Sequence, residues 1–312
     1  MSLLCVNLNA AIDKRYDLGS ITVGGVQRVS RVHATAGGKG LNAARAASHC
    51  GQRVALTGFV GGFAGEFIAA EVERIGLVDG FVRVQGESRT CINVIDATGT
   101  STEFLEPGVT VTEADVATLL VRYRELLPHA EAVTISGSLP VGCPDDLYAR
   151  LVTAAHRAGT PVVVDTSGRP LAATLSAAPS VVKPNRDELA AHAGRRLDSL
   201  ADIVDAAAAL REEGPEWVVI SLGADGAAAV GPHAGVLVTA PRVAVRNPVG
   251  CGDVLVGVLA SGLADGQALE ASLERAVQLS AASAAHPGTG DFDIEFAAGL
   301  FTTTTPIERP KQ

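Results

Sequence analysis

Long apolar runs are missing from this chain of 312 residues: 47% of it is hydrophobic and 19% charged, but no stretch approaches the ~20 apolar residues of a membrane-spanning helix. A membrane partner is therefore not expected. Cysteine is scarce as well. The five cysteines, Cys5, Cys50, Cys91, Cys143 and Cys251, are odd in number and form no CxxC pair. This argues against a disulfide framework or a zinc site and leaves reduced, mostly structural thiols. The seven histidines, His33 and His49 among them, show no HExxH spacing, so no transition metal is expected. Positive charge is in deficit, with 25 basic against 34 acidic residues and a net charge of -9. With no Lys/Arg run and no basic aromatic stripe, nucleic acid is an improbable partner, and an anionic ligand would need a local cluster of cations. The opening "MSLLCVNLNA" has no basic region and reaches Asn7 and Asn9 at once, the pattern of a first strand rather than a signal peptide, so cytoplasm is the expected location.

Several familiar motifs are absent too. Lys39 in "GGKG" is followed by glycine, so there is no GxxxxGKS or GxxxxGKT phosphate loop. No GxGxxG follows the first strand, which counts against a dinucleotide site, and "TISGSLP" is not the GxSxG of a nucleophile elbow.

What the sequence does contain is a rhythm of short β-branched runs and alanine-rich helical runs. Strands are expected at 3–9, 53–61, 131–137, 161–165, 180–185 and 216–223. Helices are expected near 40–50, 65–75, 112–127, 144–158, 200–213, 253–264 and 267–285. Gly159 and Gly214 stand where helix C-terminal caps are expected. Several strands are apolar on both faces, the signature of a mainly parallel α/β sheet covered by helices on both sides. Two segments break the rhythm, roughly 12–33 and 81–106, where alternating stretches such as "TCINVIDATGTSTEFLE" have no helix between them. They read as a small antiparallel β flap, with "DATGT" as its turn, over the sheet edge where open α/β folds bind ligands. Such a flap would act as a lid that excludes water. No linker or repeat divides residues 1–312, so a single domain is expected, and "TTTTPIERPKQ" reads as a frayed tail.

"NPVGCGDVLVG" carries the clearest chemistry. Gly250, Cys251 and Gly252 allow backbone N–H groups to turn inward together, and the following helix adds its positive end, which makes an anion site suited to an ATP phosphate. Asp253 is then either a helix cap or the group that holds an incoming hydroxyl in line and takes its proton. A loose phosphoryl-transfer transition state asks little base strength of it.

"NPVGCGD" resembles the GxGD signature of the PfkB/ribokinase family of carbohydrate kinases. In the same order along the chain, "TAGGKGLNAARAA", "SGSLP", "KPNRDE" and "SLGADGA" resemble that family's N-terminal signature, substrate loop, metal and phosphate motif and nucleotide loop. "NLNAAID", "GESRTCI" and "TEFLEPG" look most like its tagatose-6-phosphate kinase and 1-phosphofructokinase branch. The resemblance implies a ribokinase-like open sheet with a β lid. It also implies an ATP-dependent kinase, with Mg²⁺ on the phosphates, acting on a phosphorylated ketohexose such as tagatose 6-phosphate or fructose 1-phosphate. The monovalent-ion requirement stays unknown, and a homodimer contact through the lid stays open.

The residues take roles accordingly, each beside a plainer reading. Asp13, at the end of the first strand, could accept hydrogen bonds from sugar hydroxyls or simply close a turn. Gly37 and Gly38 would let the backbone approach a sugar, Lys39 would meet an anion, and Asn42 would bridge hydroxyls; a tight turn with a solvated lysine is the alternative. Ser138 falls in the substrate loop. Arg89 in the lid would bind the phosphate already on the substrate, with Arg28 as a further candidate, or both are surface arginines. Lys183 would serve the nucleotide, and the resemblance implies that Asn185 and Glu188 organise water and magnesium; Glu188 could otherwise be a first-turn carboxylate. Ser221, Gly223 and Gly226 would offer a loop edge to ATP or form a hairpin turn. Glu103 stands where some phosphofructokinases of the family look to carry arginine, which argues against fructose 6-phosphate. Cys251 departs from the usual alanine or serine, and Val254, Val256 and Val258 make a bulkier helix than the familiar "GDSFVAG", which bears on nucleotide fit. A kinase for a free sugar or nucleoside, and a sugar-phosphate sensor without catalysis, are the rival functions.

Overall fold

The structure, a computed structural model, describes residues 1–307. Its first strand, β1 (Leu3–Asn7), is buried along its whole length, and its side chains alternate between two cores: Leu3 and Cys5 enter one, Leu4 and Val6 the other. A strand apolar on both faces has to be covered on both, as in a parallel sheet between two helical layers. The chain continues through β2 (Ala11–Asp17), β3 (Arg31–Gly37), α1 (Lys39–His49), β4 (Val54–Val60), α2 (Gly62–Arg74), β5 (Val78–Asp79) and β6 (Val82–Arg83). Next come β7 (Arg89–Ile95), β8 (Ser101–Leu105), α3 (Glu113–Leu126), β9 (Ala132–Ser136), α4 (Leu147–Arg157), β10 (Val162–Asp165), α5 (Gly168–Leu175), β11 (Val181–Val182), α6 (Arg186–Ala193) and α7 (Leu200–Glu212). The last elements are β12 (Trp217–Ser221), β13 (Ala227–Val230), β14 (Gly235–Thr239), α8 (Cys251–Ala264), α9 (Leu269–Ala285), α10 (Ile294–Ala298) and β15 (Thr303–Ile307).

The main sheet runs parallel in the order β5-β4-β1-β9-β10-β11-β12 and ends in antiparallel β13, β14 and β15. One core packs α1, α2, α8 and α9 on it, the other α3, α4, α5 and α7. The expected tail is therefore only partly a tail: Thr303–Ile307 pairs with β14 as an edge strand, and the remainder lies outside the described residues. Among the described residues no helix is long and apolar enough to cross a membrane.

The second sheet has the order β3-β2-β7-β8. It consists of two antiparallel hairpins joined by a parallel pairing of β2 with β7. The turn expected at "DATGT" closes β7–β8, with Asp96 Oδ1 accepting from the amides of Thr98 and Thr100, each at 2.9 Å. The first part of the 81–106 segment belongs elsewhere, since β6 pairs with β4, and the small sheet is entered at Arg89. Asp13 is not the end of the first strand, which stops at Asn7; a turn intervenes and Asp13 lies within β2.

Helix α8 decides where the site falls. It begins two residues before the expected Asp253, with Gly250 as its cap, so Asp253 sits in the first turn and caps nothing. From Asp253 to Gly262 every residue is buried. A Cβ on Gly257 would lie 2.2 Å from the Ala43 carbonyl oxygen of α1, and one on Gly262 would lie 2.0 Å from Ser272 Oγ of α9. Glycine at these positions lets three helices pack closer than any side chain permits. Val254, Val256 and Val258 are buried in the core.

Candidate active site

A cavity of about 1070 Å³ opens at the carboxyl ends of β1, β9 and β10, with the small sheet forming its far wall. This is where an open α/β sheet receives ligands. The register of the small sheet aligns Thr35, Asp13 and Cys91 in one cross-strand row and His33, Arg15 and Asn93 in the next, and all six line the cavity. Arg31, Arg89 and Glu103 line it as well.

Asp253 stands at the opposite wall. Its Oδ2 accepts from Asn42 Nδ2 at 2.9 Å, a contact set by the α1–α8 approach at Gly257. Burial, together with the Asp165 charge, pushes its carboxyl up to about 7 against the opposing pull of Lys39, Asn42 and Lys183. The turn before it bends through Gly250, whose φ of 87° favours glycine. The Gly250 carbonyl accepts from the amides of Asp253 at 3.0 Å and Val254 at 2.9 Å. The amides of Cys251 and Gly252, first in α8, have no backbone partner among the described residues. Free amides at a helix start, next to a carboxylate, can hold an anion while the carboxylate handles a proton.

Beside this turn is a charged group that sequence reading saw only in part. Asp165, at the end of β10 and 1% exposed, places Oδ1 3.5 Å from both Lys39 Nζ and Lys183 Nζ. Lys39 also lies 3.9 Å from Glu188 Oε1. Burial pulls the Lys39 ammonium down, but Asp165, Asp253 and Glu188 outweigh it and hold it above the ordinary lysine range. Lys183 is buried, with Nζ 3.7 Å from where a Cβ on Gly252 would stand. Asp165 belongs to none of the motifs above, and its one signal in the sequence is that it closes the apolar strand "PVVVD" at a parallel sheet's carboxyl edge.

Asn185 and Glu188 form a capping box on α6: Asn185 Oδ1 accepts from the Glu188 amide at 2.8 Å and Glu188 Oε2 from the Asn185 amide at 2.9 Å. Glu188 is thus a first-turn carboxylate of α6, and its Oε1 also faces Lys39. Ser221 bridges to Asn185 in the backbone. Gly226 serves the β12–β13 hairpin, since a Cβ there would lie 2.0 Å from the Val238 carbonyl, whereas Gly223 faces open space. Lys183, Asn185, Ser221, Gly223 and Gly226 share the sheet edge with the cavity but do not line it.

At the wall formed by the small sheet, a Cβ on Gly37 would collide with the Asp13 carboxylate, and Gly38, at φ 97°, offers its amide to Asp13 Oδ2 at 3.4 Å. Burial pushes the Asp13 carboxyl up to about 6, with the Gly38 amide, Arg89 and Arg45 opposing. Ser138 lines the cavity and accepts from Asn9 Nδ2 at 3.2 Å. Arg89 is half-buried, its Nε donating to the Asn9 carbonyl at 3.1 Å and Nη1 to that of Glu106 at 3.4 Å. Arg28 is exposed on the β2–β3 connection, beyond the paired strands and outside the cavity lining, whereas Arg31 on β3 lines the cavity.

Comparison with known proteins gives a consistent result. The family model described as pfkB family carbohydrate kinase matches residues 6–295. Phosphofructokinase-2 from Escherichia coli, solved in complex with potassium, superposes with a TM-score of 0.88 at 28% identity, covering 96% of this chain and 97% of that one. A possible 1-phosphofructokinase from Thermotoga maritima gives 0.87 at 26% identity, covering 99% and 100%. A putative phosphofructokinase from Staphylococcus aureus gives 0.82 at 27%, covering 98% and 99%.

Proposed function

The chain belongs to the pfkB family of carbohydrate kinases, and from that premise we propose that it transfers the γ-phosphoryl group of ATP in line to a hydroxyl of a phosphorylated ketohexose, tagatose 6-phosphate or fructose 1-phosphate. The observation that carries this reading is Asp253, hydrogen-bonded by Asn42 beside the unpartnered amides of Cys251 and Gly252. The amides receive phosphoryl oxygens, the helix start offsets their charge, and Asp253 orients the attacking hydroxyl and takes its proton late in the reaction. No covalent intermediate on the protein is needed.

The small sheet acts as the lid. Asp13, Asn42 and Ser138 bind sugar hydroxyls, while Arg89 and the other cations of the lid face receive the phosphate that the substrate already carries. A chain with net charge -9 has to supply such affinity locally, and Arg15, Arg31 and Arg89 all line this one cavity. Glu103 on the same face disfavours fructose 6-phosphate.

Magnesium ion fits the donor set. Asp165 and Glu188 flank Lys39, and among the described residues no group of three or more His, Cys, Asp or Glu forms a protein cage. An ion held mainly by water and phosphate oxygens matches such sparse ligation, and it would neutralise charge on the transferring phosphates. Glu188 and Asp165 would hold it through water, with Asn185 fixing Glu188 through the capping box.

A coupled ADP-release screen over paired free and phosphorylated sugars tests the reading. Sugar-dependent turnover favouring a phosphorylated ketohexose supports it, preference for the free partner moves the substrate to an unphosphorylated sugar or nucleoside, and no sugar-dependent turnover removes catalysis altogether.

A further inference from the structure

Asn42 meets Asp253 through one end of its amide, and the other end is held by a residue with no place in the chemistry so far. Arg45, one turn along α1 and half-buried, donates from Nη1 to Asn42 Oδ1 at 3.2 Å and to the Thr289 carbonyl at 3.2 Å, and from Nη2 to the Ala36 carbonyl at 3.0 Å. Its reach covers three segments of the active-site wall. Ala36 immediately precedes the Gly37–Gly38 turn. Thr289 adjoins Gly290, and a Cβ on Gly250 would lie 2.6 Å from the Gly290 amide nitrogen.

An asparagine amide has two ends of opposite polarity, and which end faces Asp253 decides whether the contact attracts or repels. A guanidinium can only donate. While it occupies Oδ1, the amide has to present Nδ2 to the carboxylate; the flipped amide would set oxygen against carboxylate and NH₂ against guanidinium. The geometry points to Arg45 as a positioning residue for the phosphoryl transfer proposed above, fixing the Asn42 amide so that it always donates to the base. Arg45 itself touches neither base nor substrate cavity. The charges around its guanidinium are Asp291, Asp13, Glu71 and Arg74, and those acting on Asp253 are Asp165, Lys39 and Lys183. An effect of Arg45 on Asp253 therefore runs through Asn42.

The test is a cycle of Arg45→Met, Asn42→Ala and the double variant, read in two ways. The first is the midpoint of the Asp253 carboxyl titration, followed by ¹³C NMR in aspartate-labelled protein and assigned with Asp253→Asn; it needs no turnover. Arg45→Met is expected to raise this midpoint by about half a pH unit or more in the wild-type background and to leave it in place in the Asn42→Ala background. The second is kcat at saturating sugar, which sets aside any effect of Arg45 on sugar binding through Asp13. Arg45→Met is expected to lower it about ten- to a hundred-fold, with KM for ATP within about two-fold, and by less than about three-fold in the Asn42→Ala background. A titration unmoved by Arg45→Met, or a loss exceeding three-fold in that background, overturns the proposal. Should Arg45→Met not fold, Arg45→Lys goes through the same cycle, because it keeps the charge and loses the fork that reaches three acceptors. If the wild type turns over no sugar while the titration behaves as expected, the kinase reading fails, and what stands is that Arg45 fixes the Asn42 amide toward Asp253.

Discussion

Replacing Asp253 by asparagine should make the protein less active and more stable, in a way that depends on pH. The side chains are nearly isosteric, so Asn42 keeps an oxygen to donate to, and the cavity and amide turn are undisturbed. What disappears is a carboxylate whose pKa rises from 3.8 in the unfolded chain to about 7 in the folded protein, first through burial and then through Asp165. A folded pKa above the unfolded one means that the unfolded state gives up its proton first. Stability contributed by the neutral carboxyl is thus full below pH 4 and is lost progressively as pH rises to about 7. At about 1.4 kcal/mol per unit, the wild type should lose about 2 to 3 kcal/mol between pH 5 and pH 8 through this group, a loss that the asparagine variant escapes. Denaturant melts of both proteins at the two pH values should show the variant's advantage growing with pH. Over the same change, kcat should fall by roughly 10²-fold or more as proton acceptance and positioning are lost, with binding of ATP and sugar largely intact. A folded variant with near-normal turnover, or an advantage identical at both pH values, would refute the reasoning.

Other outcomes follow from neighbouring geometry. Because the Asp253 and Asp13 carboxyls are pushed up to about 7 and about 6 and both act ionised, kcat/KM should drop on acidification below 7 and more steeply below 6; a flat profile between pH 5.5 and 8 would contradict this. Arg89→Ala should raise KM for the phosphorylated ketohexose about ten- to a hundred-fold, far more than for ATP or for the free sugar, and equal losses on the free and phosphorylated forms would show that it does not read phosphate. Gly257→Ala places a methyl 2.2 Å from the Ala43 carbonyl and should cost about 1–3 kcal/mol while lowering kcat, because α8 has to shift Asp253 away from Asn42; unchanged melting and turnover would show slack between the helices. Burial pushes the Cys251 thiol up to about 11, so alkylation should be slow at neutral pH and slower still with Mg-ATP, and mass spectrometry showing an unchanged Cys251 rate under saturating nucleotide would move the phosphate cradle elsewhere.

The parallel strands were legible because apolarity on both faces has no other economical explanation, and the amide turn because three small residues before an apolar helix leave few conformations. Elements carrying neither signal escaped. Strand β13, "AAAV", has a composition that favours helix, and α5 and α6 span only eight residues each, too few for a period to emerge. At the site, residues near one another in sequence, such as Gly250 to Asp253, could be grouped by reading, whereas Asp165 between Lys39 and Lys183, or Arg45 behind Asn42, depends on which strands and loops become neighbours. Arg28 illustrates the limit: charge type and segment were readable, but which cation lines the cavity depends on where the paired strands end, and Arg31 belongs to β3 while Arg28 lies on the connection before it.

The separation of the two sheets bears on how such a protein could change its diet. Asp253, Asn42 and the amide turn belong to a block of helices locked by glycine contacts without slack, where a single methyl is an error. Most residues proposed to inspect the substrate sit on a four-stranded panel whose cavity-facing side chains can be exchanged one at a time, at the cost of a hydrogen bond or an ion pair rather than a packing collapse. Variation is thereby channelled: a lineage can revise which sugar it accepts by rewriting alternate positions of β2, β3, β7 and β8, while the chemistry stays fixed by parts too tightly fitted to drift.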